Sequence, residues 1–166
     1  MILTESKIID NYLFFSKRTC LSQWFKRSFI VEGKSYTSME QYMMYNKAIL
    51  FKDNDIALKI LNTNDPKTIL QLGRQVKDYH EQIWSPVRFD IVYKGTLEKF
   101  NQNKDLKEYL ISTNDLIIHE AFSFDKIWAI GFDIDSPEVN NLEIEKYGQF
   151  LLGKVLMKVR DTLNVG

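Results

Sequence analysis

The stretch that decides the fold is Phe29–Lys47, FIVEGKSYTSMEQYMMYNK, in which a hairpin pattern runs directly into a helix pattern. Short strand-like segments flank Glu32-Gly33, which predicts two strands joined by a tight turn, because glycine readily supplies the backbone conformation that such a turn requires. The residues from about Ser38 to Leu50 then have the apolar spacing of a helix. The segment therefore predicts a strand–turn–strand–helix unit.

Glu40 and Lys47 lie on one face of this predicted helix. They are seven residues apart, which at about 100° per residue is nearly two full turns. A carboxylate and an ammonium on one face are suited to acid–base or iminium chemistry. The structural alternative is a capping box at Thr37-Ser38-Met39-Glu40, in which Thr37 caps the helix and Glu40 accepts a hydrogen bond from the Thr37 amide. Local sequence alone favours the cap, and most helix lysines are simply solvated.

The rest of the chain predicts an α+β fold with more helix than strand. Asp65-Pro66 and Ser85-Pro86 are helix-start signals, since proline is well tolerated at the first helical position. Gly73 is a suitable helix end. Gly148 and Gly153 indicate a tight turn or a close backbone contact. Further strands are predicted at 12–15 and 116–118, and further helices at 53–61, 66–73, 86–100, 105–111 and 151–163.

Length and composition predict a single domain over residues 1–166. The chain is long enough to bury a substantial core. It has no repeat, low-complexity segment or linker rich in Gly, Pro or Ser that would separate two domains. Its 11 Phe, 8 Tyr and 3 Trp suit both a core and a site for a flat ring.

Charge limits the partners that the chain can recruit. The 22 Lys and Arg balance the 22 Asp and Glu, so no overall field draws the protein to nucleic acid or to an anionic membrane. Any contact with DNA would therefore be local. Scattered lysines usually only improve solubility, but four of them could form a local patch: Lys94, Lys99, Lys104 and Lys107.

Cysteine, histidine and hydropathy indicate a soluble cytoplasmic protein without a metal or an organic cofactor. Cys20 is the single cysteine, which excludes an internal disulfide and suits a reducing compartment. His80 and His119 stand alone, without metal-ligand spacing. No apolar run approaches the roughly 20 residues of a transmembrane helix, and the first residues do not form a signal peptide.

Two further groups of residues are candidates for ligand binding. Asp125 follows a predicted buried strand and precedes Trp128 by three residues, so the pair could orient a substrate and stack on its ring. Equally, Asp125 could cap a turn while Trp128 fills the core. Arg74 and Arg88 could bind a pyrophosphate beside Trp84, although surface arginines and a core tryptophan are the commoner explanation.

Taken in order, these motifs resemble those of the NADAR family, which includes the YbiA-like N-glycosidases. The resemblance extends from about Tyr12 to Leu163. Each matching piece is weak alone, but eight pieces in one order are specific. The pieces are Leu21-Ser22-Gln23-Trp24-Phe25; Phe29, Gly33, Tyr36 and Ser38; Glu40-Gln41-Tyr42 and Lys47; Leu72-Gly73-Arg74; Trp84 to Arg88; Lys99-Phe100; Glu120, Asp125, Trp128 and Gly131; and Leu152-Gly153 to Arg160.

The resemblance implies a YbiA-like domain with a small sheet and a hydrolase of N-glycosidic bonds to ribose. Substrate classes of the family are ribosylated pyrimidine intermediates of the riboflavin pathway and ADP-ribose attached to a nucleobase, notably guanine in DNA. The resemblance also implies which residues form the site. The catalytic candidates are Glu40, Lys47 and Asp125, and the substrate-binding candidates are Ser22, Tyr42, Arg74, Trp84, Arg88, Trp128 and Gly131.

The chemistry of such a reaction suits these residues. Breaking the C1–N bond builds oxocarbenium character at C1, which a carboxylate stabilises, while another group protonates the departing nitrogen or activates water. We therefore expect Glu40 to act as general acid or base and Asp125 to stabilise charge or orient the substrate. Lys47 could instead attack an opened sugar aldehyde as a Schiff-base nucleophile if its pKa is lowered. The sequence leaves these roles open.

Three residues depart from the family pattern. Gln23 replaces an Asn, Ala129 replaces a Gly, and Phe150 replaces an Asn two residues before Leu-Gly. If that Asn contacts the substrate in the family, this protein binds a different ligand or binds more weakly. A non-catalytic module that binds ADP-ribose or a nucleotide is therefore the alternative to the hydrolase, and a third, purely structural interpretation treats Glu40 as a cap.

Overall fold

The computed structural model describes residues 5–140 and 148–165. This part of the chain has a helix-rich α+β fold, as the sequence predicts. Contacts divide the chain into two compact units. The terminal unit comprises the residues up to Phe25 and from Asn103 onward, and the middle unit is Lys26–Gln102. The single domain over 1–166 stays a prediction. No helix within the described ranges is long and apolar enough to cross a membrane.

The elements follow one another in a simple order. The terminal unit contains β1 (Ser6–Ile9), β2 (Tyr12–Phe15), α5 (Lys104–Ser112), β5 (Ile117–Glu120), a short 3-10 helix (Pro137–Asn140) and α6 (Leu151–Asn164). The middle unit contains β3 (Phe29–Val31), β4 (Lys34–Tyr36), α1 (Met39–Leu50), α2 (Asn54–Leu61), α3 (Pro66–Gly73) and α4 (Glu81–Gln102).

The terminal unit is built on a three-stranded sheet in the order β1-β2-β5. β1 and β2 are antiparallel, and β2 and β5 are parallel, with Phe15 opposite Glu120. The sequence did not predict β1, because three of its four residues are exposed and it carries little of the apolar pattern of a buried strand. Helix α6 packs on β5 so closely that a Cβ at Gly153 would lie 1.9 Å from the Ile118 carbonyl oxygen. The predicted close backbone contact at Gly153 is confirmed.

The middle unit begins with the predicted hairpin. β3 and β4 are antiparallel, and the two turn residues, Glu32 and Gly33, have φ angles of 50° and 77°. Positive φ at both central positions is the geometry of a type I′ turn, whose twist suits a two-residue hairpin. The hairpin leads within three residues into α1, so the sequence predicted this unit correctly.

Helix α1 packs against α2, α3 and α4. Two glycines permit this close packing. A Cβ at Gly73 of α3 would lie 2.1 Å from Sδ of Met44, and one at Gly95 of α4 would lie 2.4 Å from the Tyr42 ring. Because interiors are packed to crystal-like density, α1 has little freedom to rotate or slide within this unit.

The predicted capping box at Thr37 and Glu40 is wrong. Ser38 is the N-cap of α1, and its Oγ accepts a hydrogen bond from the Gln41 amide at 3.2 Å. The Gln41 side chain makes a second hydrogen bond at the helix start, since its Oε1 accepts from the Thr37 amide at 2.8 Å. The sequence contains two overlapping capping patterns, Thr-x-x-Glu and, one residue later, Ser-x-x-Gln. The structure adopts the second. Glu40 is therefore not the capping residue.

The predicted start of α4 at Pro86 is also wrong. The helix begins at Glu81, and the amides of Ile83 and Trp84 donate to the His80 carbonyl in its first turn. Pro86 lies inside the helix, where its missing N–H removes one intrahelical bond close to the start. The other predicted helices begin and end within a residue or two of those observed, and Asp53 and Asp65 cap α2 and α3.

Candidate functional site

Glu40 and Lys47 lie together on α1, in the middle unit. Glu40 is only 3% exposed. The Lys47 ammonium donates a hydrogen bond to the Gly73 carbonyl at 2.8 Å and lies 4.4 Å from the centre of the Tyr79 ring. Glu40 is close enough for its charge to act on the pKa of Lys47. The periodicity predicted that both side chains lie on one face of α1, and the structure has a buried carboxylate and a half-buried amine there.

Burial lowers the pKa of Lys47 below its usual value. The positive charge of Arg74 lowers it further, whereas the carboxylates of Glu40 and Glu81 act in the opposite direction. Burial outweighs the two carboxylates, because the low-dielectric surroundings penalise the charged amine. A lysine with a lowered pKa is a better nucleophile near neutral pH than a solvated lysine.

Arg88 extends this group of charges along α4. It is buried, and its Nη1 donates to Oε1 of Glu81 at 2.7 Å. The Tyr79 hydroxyl donates to the other oxygen of Glu81. These two hydrogen bonds, that from Tyr79 being the stronger influence, lower the pKa of Glu81. Glu81 is therefore a carboxylate held by two partners, one of which covers Lys47.

The other binding candidates of the middle unit occupy different positions. Arg74 is exposed at the end of α3, near enough to influence Lys47. Trp84 is 5% exposed and lies one turn before Arg88 on α4. Both are thus in the same unit as Glu40 and Lys47, and Trp84 is largely enclosed by protein.

Tyr42 is not brought to Glu40 and Lys47. Two residues on a helix are about 200° apart, so its side chain leaves α1 on the side away from Glu40. Its ring is 4% exposed and contacts the rings of Phe29 and Tyr36, with centroids 6.1 and 5.0 Å away. Burial, followed by the carboxylates of Glu32 and Glu98, raises its pKa to about 12. The ring therefore packs against two other aromatic rings, and the substrate-binding role of Tyr42 stays a prediction.

The remaining candidates belong to the terminal unit. Oδ1 of Asp125 accepts from the amides of Ile127 and Trp128, both at 2.8 Å. Trp128 is 8% exposed. Gly131 adopts a φ of 80°, which favours glycine. Asp125 therefore caps a turn and Trp128 is buried, as the structural alternative predicted, while their roles in catalysis and binding stay predictions.

Ser22, Gln23 and Ala129 are buried in the same unit. Ser22 is 1% exposed, and its Oγ accepts from the Trp24 amide at 3.1 Å, so it stabilises the local turn. Ala129 is fully buried. Gln23 is 6% exposed, and within the described residues its Oε1 has no hydrogen-bond partner. The substrate-binding role of Ser22 stays a prediction.

Phe150, the third departure from the family pattern, is a core residue here. It is 4% exposed and packs in an apolar cluster with Phe14, Ala121, Ile130, Ile134 and Val139. Its ring also lies 4.8 Å from the His119 ring, centre to centre. The larger apolar side chain has thus been accommodated by the core of the terminal unit.

One of the four lysines that could form a local basic patch is buried. Lys99 is only 1% exposed, so it cannot contribute to a surface patch. Lys94 forms an ion pair with Glu32 at 2.5 Å, and Lys104 lies 3.7 Å from Glu108. Among the residues that the structure describes, no group of three or more His, Cys, Asp or Glu could hold a metal ion.

Two residues of the group escaped the sequence analysis, Tyr79 and Glu81. Glu81 precedes Arg88 by seven residues, the same two-turn spacing that joins Glu40 to Lys47. This signal was hidden because the helix was expected to begin at Pro86. Tyr79 lies outside any helix or strand, and no periodicity could have pointed to it.

Comparisons with known proteins agree with the motifs. A family model described as NADAR domain matches residues 13–164. An N-glycosidase of Acanthamoeba polyphaga mimivirus is 39% identical over 165 residues, which cover 92% of this chain and 96% of that protein. A riboflavin biosynthesis protein of Vibrio vulnificus is 27% identical over 96% of this chain but only 40% of its own length. The NMR structure of the Escherichia coli protein YbiA matches 95% of this chain and 88% of that chain with a TM-score of 0.73 and 20% identity, a likeness of fold.

Proposed function

This chain belongs to the NADAR family and is an N-glycosidase, and we propose that it removes an ADP-ribosyl group from a nucleobase, with guanine in DNA as the favoured base. The observation that carries the proposal is the position of Glu40. Ser38 and Gln41 perform the capping, and Glu40 is a buried carboxylate beside an amine. A carboxylate shielded from water is suited to exchange protons with a bound substrate.

In the first mechanism Glu40 acts as the general acid and base. The C1–N bond breaks, the departing base nitrogen takes a proton, and water adds to C1 after losing a proton. Lys47, with its charge, would then help to bind the substrate or stabilise the leaving base. The role of Asp125, which belongs to the terminal unit, stays a prediction.

In the second mechanism Lys47 is the nucleophile. Its neutral amine adds to C1 of the opened ribose as the base departs with a proton, and water then hydrolyses the resulting imine to return the amine and free ADP-ribose. The lowered pKa of Lys47 supports this route. Borohydride distinguishes the two mechanisms, because reduction during turnover would attach the ribosyl group to the Lys47 peptide only in the second.

Charge supports ADP-ribose as the recognised group. Arg74, Arg88 and Lys47 lie in one unit, and guanidinium groups bind phosphates through paired hydrogen bonds. The whole chain has no net charge, which disfavours binding to many phosphates of a DNA backbone. A single base flipped out of the stack, recognised through its ADP-ribose, is compatible with both observations.

The test uses purified protein with an oligonucleotide that carries ADP-ribosylated guanine, and mass spectrometry to identify the products. We expect free ADP-ribose and unmodified DNA from the wild type, and a rate about 10²–10⁴-fold lower from Glu40→Gln. Glu98→Gln is the control, since it makes the same substitution at a carboxylate on α4 that accepts a hydrogen bond from the Gln102 side chain at 2.8 Å. A Glu40→Gln protein with the wild-type rate would refute the assignment.

Two other functions are outcomes of the same experiment. Cleavage of small ribosylated pyrimidines alone would assign the chain to clearance of riboflavin-pathway intermediates, an alternative supported by the name of the Vibrio vulnificus relative. Tight binding of ADP-ribose without any product would make the chain a non-catalytic module. The Phe150 and Ala129 departures are the features that favour this last outcome.

A further inference from the structure

Tyr79 and Glu81 lie between two residues of the candidate site that belong to different helices, Lys47 and Arg88. The Tyr79 ring covers the Lys47 ammonium of α1, and its hydroxyl donates to Glu81. Glu81 in turn accepts from the Arg88 guanidinium at 2.7 Å. A continuous set of contacts therefore runs from the amine on α1, through the segment between α3 and α4, to the buried guanidinium on α4.

We propose that Tyr79 and Glu81 are positioning residues of the N-glycosidase, which hold Lys47 and Arg88 in the geometry that the reaction requires. The inference rests on the proposed function for its chemistry. Its geometric part, that Tyr79 and Glu81 control the surroundings of the Lys47 amine, can be tested without any substrate.

A lysine amine needs neighbouring contacts to hold it in one position, because the long side chain has many rotamers. Two contacts fix the position of the Lys47 amine: the Gly73 carbonyl accepts its hydrogen bond, and the Tyr79 ring lies on another side. The ring is itself held at both ends. Its hydroxyl is bonded to Glu81, and the ring packs against that of Phe51, tilted by 58° with the ring centres 5.4 Å apart.

Glu81 has a second effect, through its charge. Among the groups that act on the pKa of Lys47, Glu40 on α1 and Glu81 on α4 raise it, whereas Arg74 at the end of α3 lowers it. Arg88 and Tyr79 act on Glu81 directly, and both favour its charged form. Loss of the Glu81 charge would therefore lower the pKa of Lys47 and weaken the hydrogen bond from the buried Arg88.

The substrate-free test measures how fast trace acetic anhydride labels Lys47 as a function of pH, with peptide mass spectrometry as the readout. In Glu81→Gln the labelling curve of Lys47 should move to lower pH, because the amine loses a neighbouring negative charge. In Tyr79→Leu the labelling rate at high pH should rise, because the ring no longer covers the amine. Glu98→Gln and Tyr45→Leu are controls: Tyr45 also lies beneath a lysine, Lys34, at 5.4 Å, but on the far side of α1.

The kinetic test separates positioning from simple structural support. With ADP-ribosylated guanine in DNA, Tyr79→Leu should lower kcat by about 10²-fold, the loss typical of a misplaced catalytic group, with the melting temperature close to that of Tyr45→Leu. Tyr79→Phe keeps the ring and should lose much less. Glu81→Gln should shift the pH profile of kcat in the same direction as the labelling curve.

Unchanged Lys47 labelling in both Tyr79→Leu and Glu81→Gln would overturn the inference. So would a wild-type kcat and pH profile in both variants. If the wild-type protein cleaves no ribosylated substrate, the proposed function fails, and the labelling curves alone still decide whether Tyr79 and Glu81 hold the amine. The two failures are therefore distinguishable.

Discussion

Gln41 and Glu40 are adjacent, and we predict that one is needed for stability and the other for activity. Gln41 is 1% exposed and makes three short side-chain bonds to the backbone. Its Oε1 accepts from the Thr37 amide at 2.8 Å, and its Nε2 donates to the carbonyls of Thr63 at 2.9 Å and Ile60 at 3.1 Å. These bonds attach the start of α1 to the end of α2.

The expected cost of Gln41→Met follows from these bonds. A hydrogen bond contributes about 1 kcal/mol net, so three lost bonds should lower the free energy of unfolding by about 3 kcal/mol, with the side-chain volume largely kept. For a chain of this size that corresponds to a fall in Tm of roughly 6–12 °C. Glu40→Gln keeps the volume and leaves the cap in place, so its Tm should change much less.

The assay is thermal unfolding of both variants beside Ser38→Ala, followed by circular dichroism. Ser38→Ala removes the observed cap and should cost about 0.5–2 kcal/mol. The cap assignment would be refuted if Glu40→Gln were as destabilised as Ser38→Ala while Gln41→Met melted like the wild type. In that case Glu40 would be the structural residue after all, and its burial would carry no functional argument.

Three further predictions concern other parts of the chain. Gly153→Ala should destabilise the protein by about 1–3 kcal/mol, because the new Cβ would meet the Ile118 carbonyl oxygen at 1.9 Å and the helix or strand must move; a Tm equal to that of the wild type would contradict this. Phe150→Asn should lower the free energy of unfolding by about 3 kcal/mol in a denaturant titration and gain no activity, because Phe150 is part of the apolar cluster. A faster Phe150→Asn enzyme would show instead that the natural phenylalanine impairs the site. Hydrogen bonds from the amides of Lys77 and Ile56 hold the pKa of Asp53 below its usual range, so the stability that this carboxylate contributes is present above the pKa of an unfolded aspartate and is lost as pH falls through the lowered value. Asp53→Ala should therefore melt earlier than the wild type at pH 7, with a difference that shrinks below about pH 4, and a difference independent of pH would contradict the assignment.

The sequence predicted those elements whose cause is local. Glu32-Gly33 predicted the hairpin because Gly33 adopts positive φ readily, and Asp65-Pro66 predicted the start of α3 because both residues act on the first helical turn. Glu40 and Lys47 were placed on one face because helical periodicity alone determines it.

The errors arose where two local signals compete or where distant residues decide. Thr37 and Ser38 are both good caps, and the side chain of Gln41, held by carbonyls at Ile60 and Thr63, accompanies the cap at Ser38. Such long-range bonds leave no trace in a short window of sequence. β1, an edge strand, was missed because three of its four residues are exposed and carry little apolar pattern.

For the candidate site, sequence could name residues but not their surroundings. The burial of Glu40 and the contact between Lys47 and Gly73 depend on how α1 packs against α3, which periodicity does not reveal. The family motifs placed Tyr42 among the substrate-binding candidates, whereas its ring lies on the other side of α1. The roles of Glu40 and Tyr42 in catalysis and binding both stay predictions.

The most direct test of the account is the single-turnover rate of ADP-ribose release from ADP-ribosylated guanine in DNA, compared between the wild type, Glu40→Gln and Glu98→Gln. We predict release by the wild type and by Glu98→Gln at similar rates, and a rate at least about 10²-fold lower for Glu40→Gln with its folding intact. Equal rates for all three proteins would contradict the central claim that the buried carboxylate beside Lys47 performs the chemistry.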